Sequence, residues 1–124
     1  MAIDVARYNV SSASTGAIVT IPTTRIADNS TFIIECIFYI QDTFSLEFYN
    51  TSKRISTYKK VTGVITKLNE FTSYTLKGTG ANGTNAAVVT QAVSGTDVVF
   101  SRSSTLSGPP WIPIFFNIKI IYRT

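Results

Sequence analysis

From Phe115 to Arg123 the chain alternates: Phe116, Ile118, Ile120 and Tyr122 take one face, and Asn117, Lys119 and Arg123 take the other. A period of two marks a β-strand with one buried face. The same texture runs through the whole chain, and no stretch reads as helix. Ala17 to Pro22 is a strand closed by Pro22, because proline cannot donate to a ladder. Thr31 to Gln41 is nearly continuous apolar, β-branched and aromatic, and reads as a central strand buried on both faces. Phe44, Leu46 and Phe48 alternate against Ser45, Glu47 and Tyr49, which supplies it with a hairpin partner. Thr57 to Lys67 is more polar and reads as a strand near an edge. Phe71 to Leu76, Ala86 to Ala92 and Thr96 to Ser101 follow as further strands.

The punctuation agrees with this reading. Asp28 to Ser30 marks one turn and Ser94-Gly95 another. Gly78 to Asn85 is the strongest loop, since Gly and Asn tolerate positive φ. Ala2 to Val10 is either a strand or an extended arm, and the small residues from Ser11 to Gly16 form a linker or turn. The expected division is an arm or linker over 1–15 and a single domain over 16–124. Eight or nine strands at this spacing predict an all-β fold: an antiparallel β-sandwich, jelly-roll-like.

Composition narrows the class. The chain has 124 residues, enough for one domain with its own core. Charged residues make up 15%, well below the usual share of about 25%. Ser and Thr fill the deficit, and a surface with few ions is cheap to desolvate at a subunit contact. Cys36 is the only cysteine, so a disulfide-stapled scaffold is excluded and the thiol is expected to pack as a small apolar group. No signal-peptide pattern and no apolar run of membrane-spanning length is visible, so membrane insertion is not expected. The net charge is +4, with Lys53, Arg54, Lys59 and Lys60 close together around Ile55 and Tyr58. Such a stretch can touch a phosphate backbone, but it also describes a solvated strand edge guarded by lysines. Nucleic acid is not the expected partner.

Catalytic parts are scarce. The chain contains no histidine, and one thiolate is not a metal site. The seven acids are scattered singly. Glu35 alone sits among apolar residues, where it either has a raised pKa or pairs with a cation across the sheet. Glu35 with Glu47 on an adjacent strand would imitate a glycosidase dyad. The Gly78 to Asn85 loop lacks the Gly-Lys-Ser/Thr ending of a phosphate cradle, and no helix follows it. The expectation is a protein that is not an enzyme, with no catalytic residues, no metal and no cofactor. Trp111, the lone tryptophan, is either an anchor for entry into the last strand or a carbohydrate platform.

Three stretches carry a family resemblance. The first is Gly16-Ala-Ile-Val-Thr-Ile-Pro22 followed, after a polar gap, by the apolar strand Phe32 to Ile40. The second is the Gly/Asn-rich middle followed by Val88-Val-Thr and Val98-Val-Phe-Ser. The third is Trp111 ahead of the alternating strand that ends at Tyr122. Together, Gly16 to Thr124 resembles the C-terminal tip domain of bacteriophage tail fibres and receptor-binding proteins. That resemblance implies a homo-oligomer, a trimer by preference, located on the virion and contacting other virion proteins. It also implies recognition of a host-surface glycan or protein receptor through apical loops. The expected contacts are the Gly78 to Asn85 and Ser101 to Pro110 loops, with Trp111, Tyr74, Asn82 and Asn85 as candidate ligand-binding residues. Residues 1–15 carry no recognisable shaft, a departure from the pattern. With Met1 as a native start, the alternative is a free-standing structural protein: a capsid decoration protein, a head fibre or a small jelly-roll coat subunit.

Overall fold

The computed structural model describes residues 2–10, 16–41, 48–76, 89–102 and 114–124. They form eight strands: β1 (Ala2–Val10), β2 (Gly16–Pro22), β3 (Ser30–Gln41), β4 (Phe48–Val61), β5 (Val64–Leu76), β6 (Val89–Ser94), β7 (Asp97–Arg102) and β8 (Ile114–Tyr122). The fold is all-β and every pairing is antiparallel. A five-stranded sheet runs β1-β8-β3-β4-β5, and a three-stranded sheet runs β2-β7-β6. Their facing sides close over one core, which makes a β-sandwich.

Alternation decides which side chains enter that core. Phe32, Ile34, Cys36 and Phe38 of β3 point inward, as do Phe116, Ile118, Ile120 and Tyr122 of β8. The smaller sheet answers with Val19, Ile21, Val98, Phe100 and Val89. Phe116 sits between Phe38 and Phe100, with ring centroids 5.8 and 5.7 Å away, and so ties the two sheets together. Cys36 is buried among these residues as a free thiol. β3 does occupy the centre of its sheet, but its outer positions are only partly covered: Ile33 and Glu35 are half-buried and Ile37 is exposed.

Two further sequence expectations need correcting. Thr57 to Lys67 is not one strand but the end of β4, a tight turn and the start of β5. Nor does the basic cluster lie on a strand edge. β4 is flanked on both sides, by β3 and β5, and its alternation sends Arg54 and Lys60 into the core while Lys53 and Lys59 stay outside. Each buried cation is held by backbone oxygen. The Lys60 ammonium donates to the Thr23 and Ile26 carbonyls at 2.8 and 2.9 Å, and Arg54 Nη2 donates to the Val89 carbonyl at 2.9 Å. These bonds join the large sheet to the β2–β3 connection and to β6.

Candidate functional site

The outer face of the five-stranded sheet is the broad surface that the sandwich leaves uncovered by its second sheet. Cross-strand register arranges it in rows. Ile3, Ile121 and Ile33 stand side by side on β1, β8 and β3. The next row along carries Val5, Lys119, Glu35, Ile55 and Phe71. Glu35 lies here on the half-buried outer face, opposite Lys119 and 3.7 Å from the Lys53 ammonium. It is therefore a paired surface carboxylate, as one of the two sequence readings had it, and Glu47 falls outside the described residues.

At the end of this face where β3 begins and β8 finishes, the surface sinks into a cleft of about 820 Å³. Thr31, Ile33, Lys59, Val61, Ile121 and Arg123 contribute to its lining. Asn29 forms one wall, with a left-handed backbone (φ 55°), and its carbonyl accepts a 3.2 Å hydrogen bond from Arg123 Nη2. A smaller cleft of about 380 Å³ lies on the other side of β8, around Asp4, Arg25 and Tyr122. There Arg25 Nη2 donates to Asp4 Oδ1 at 3.0 Å and to the Tyr122 hydroxyl at 2.9 Å, and that hydroxyl donates to Asp4 Oδ2 at 2.9 Å. The Asp4 charge raises the Arg25 pKa further. The three groups satisfy one another, and they clasp β1, β8 and the β2–β3 connection.

Between the sheets, a polar seam crosses the core. The Gln91 amide donates to the Tyr58 hydroxyl at 2.7 Å, and Arg54 Nε donates to Thr72 Oγ1 at 3.1 Å. Glu70 on β5 bonds Lys67 at 3.0 Å and stands 3.9 Å from Arg54. Burial pushes the Tyr58 hydroxyl pKa up, with the Gln91 hydrogen bond opposing it. Burial likewise pushes the Cys36 thiol up, to about 12, against the pull of the Arg54 charge. A thiol so placed is protonated at neutral pH and inert as a nucleophile. Among the described residues no three His, Cys, Asp or Glu side chains are grouped to hold a metal.

Of the ligand-binding candidates singled out from sequence, only the backbone of Tyr74 is among the described residues. Tyr74 is on β5, opposite Ser52 of β4. Its side chain, together with Asn82, Asn85 and Trp111, falls outside the described residues, as do the Gly78 to Asn85 loop and most of the Ser101 to Pro110 loop. The strand ends that flank those loops, at Leu76 and Ile114, stand at the far end of the sheet from the cleft. Ile114 is seven residues from Ile121 along β8, about 23 Å at strand rise. Sequence reasoning missed two outer-face features. One is the cleft itself, whose described lining comes from three separate segments, 29–33, 59–61 and 121–123. The other is the Tyr39 and Phe115 pair, stacked at 5.0 Å on adjacent strands. No periodicity signals either, since only register brings the partners together.

No protein-family model matches the chain, and no curated protein does. Among solved structures it is similar to the tailspike protein of Acinetobacter baumannii phage AM24, at a TM-score of 0.44 and 14% identity. The likeness covers 96% of this chain and 25% of that one. A similarity of this size assigns neither family nor function.

Proposed function

We propose that the chain is a non-enzymatic, oligomeric binding module of the phage fibre-tip type, which recognises a glycan or protein on a host cell surface. The observation that carries this reading is the exposure of large apolar side chains on both edges of one sheet. On β1, Ile3 and Val5 are 55% and 56% exposed; on β5, Val64, Leu68 and Phe71 are 63%, 50% and 63% exposed. Edge strands normally carry charge or are covered, because their open backbone invites pairing. Here opposite edges both offer apolar surface, which suits a head-to-tail contact that closes into a ring. A trimer fits the resemblance to phage tail-fibre tip domains. The residue types present favour holding a partner over transforming it, and the second reading, a capsid-associated structural protein, draws on the same edges.

Light scattering coupled to size exclusion tests this, with and without mild SDS. A discrete trimer is expected, and Phe71→Ser with Ile3→Ser is expected to convert it to monomer without a change of fold. A monomer at all concentrations would refute the oligomeric module. A polydisperse assembly that grows with concentration would favour the capsid protein.

A further inference from the structure

Two cations stand at the cleft end of the outer face. Lys59 of β4 pairs in register with Thr31 of β3. Arg123 continues the β8 register that sets Ile121 opposite Ile33, and so flanks Thr31 from the other side. With strands about 4.8 Å apart, the two cationic positions are separated by about 10 Å, with a hydroxyl between them. Beside that row, Ile33 and Ile121 form an apolar shelf, bounded by Val61. Among the described residues no acidic side chain lines the cleft. The carboxylate nearest in sequence, Asp28, accepts the Gly63 N–H at 2.9 Å and is occupied in capping that turn. Among the described residues Lys59 has no acidic partner, and the hydrogen bond that Arg123 makes is to a neutral carbonyl.

We infer that this cleft binds the acidic group of a surface saccharide, with Lys59 and Arg123 on either side of a carboxylate or phosphate and Thr31 hydrogen-bonding to it. The charge complementarity is local and is reinforced by the net charge of +4 on the chain. The arginine supplies a planar, multi-donor contact and the lysine a point charge, which together suit an oxyanion. The shelf of Ile33 and Ile121 is the right chemistry for the C–H face of a sugar ring and the wrong one for a second charge. A nucleic-acid strand would need a longer run of cations with aromatic platforms between them. Two cations and an aliphatic floor fit a single anionic group on a compact body. This inference rests on the reading of the chain as a binding module and names the ligand class for it.

Isothermal titration of the full chain tests the assignment with four probes: an oligogalacturonate, a phosphate-bearing mannan fragment, neutral dextran oligomers and a short single-stranded DNA. The acidic saccharides are expected to bind and dextran is not. The exchanges Lys59→Gln and Arg123→Gln are each expected to weaken binding about tenfold or more. Both side chains are exposed, so thermal melting of the variants should match the parent. Affinity should also fall with added salt, as an ion contact at a surface must. Preference between the carboxylate and phosphate probes identifies the acidic group. Equal binding of dextran, tighter binding of DNA, or no effect of the two exchanges would overturn the inference, as would failure of both acidic probes. If the chain is still a discrete oligomer in that event, only the ligand class falls; a monomer takes the binding-module reading down with it.

Discussion

The inner row of β4 is the least ordinary set of residues in the molecule. Ser52, Arg54, Ser56, Tyr58 and Lys60 occupy successive core-facing positions, and all are buried. A buried polar group left without a partner costs about 1–3 kcal/mol, and Arg54, Tyr58 and Lys60 are supported by carbonyls and an amide from the opposite sheet and the β2–β3 connection. Stacking of Tyr58 on Phe32 at 5.1 Å and of the Arg54 guanidinium over Phe38 at 5.3 Å covers the apolar parts of the same side chains. From sequence, this row was opaque. Both faces of Ser52 to Lys60 are polar, so alternation could not say which face enters the core. The buried, pKa-raised groups beside it make a prediction. Burial pushes the Cys36 thiol above the ordinary cysteine range, to about 12, and shifts the Tyr58 hydroxyl in the same direction. Above pH 9 the unfolded chain therefore binds fewer protons than the folded one, and stability must fall as pH rises. Urea midpoints between pH 7 and 11 should be flat up to about pH 8.5 and then decline, by at most about 1.4 kcal/mol per pH unit for each proton involved. Cys36→Ala should make the decline shallower; a parent chain whose stability holds to pH 11 would contradict the assignment.

At the scale of elements, the hairpins explain both what was legible and what was not. β6 and β7 are joined through Gly95, whose positive φ of 61° is the first central position of a two-residue turn, where a type II′ geometry requires glycine. A glycine between two alternating runs announced that turn. The β4–β5 hairpin is different. Val61 pairs with Val64, and the central residues Thr62 and Gly63 both have positive φ, 47° and 80°. That is a type I′ arrangement, which favours Asn-Gly. With Thr in place of Asn, the segment from Val61 to Ile65 kept the look of an unbroken strand. A β-branched residue at positive φ is strained, so Thr62→Asn should stabilise the protein by about 0.5–1 kcal/mol. Gly63→Ala should destabilise it by about 1 kcal/mol or more, although nothing lies within 4 Å of the added methyl, because the φ itself is unfavourable. Chemical denaturation reads both, and a neutral Thr62→Asn would show that the turn holds no strain. β8, by contrast, matches its pattern throughout: Phe116, Ile118, Ile120 and Tyr122 are the buried set, and Asn117 and Arg123 lie outside.

At the scale of the whole molecule, the sandwich followed from the strand count and the alternation, whereas the cleft did not. Lys59, Thr31 and Arg123 are scattered in sequence and meet only because β3 lies between β4 and β8, an order that no local signal encodes. Three surface features share one sheet: exposed apolar side chains on its edges, a cationic cleft at one end of its outer face, and the Tyr39–Phe115 stack about 20 Å further along that face. These features support the proposal that the protein holds a ligand on a cell surface. The most direct test is saturable retention of the intact protein on a panel of immobilised bacterial capsular polysaccharides and lipopolysaccharides. At least one acidic member is expected to retain it, and soluble polysaccharide to compete it away. Retention on none of them, with the same preparation incorporating into capsid shells, would overturn the binding-module proposal and make the chain a structural component of a particle.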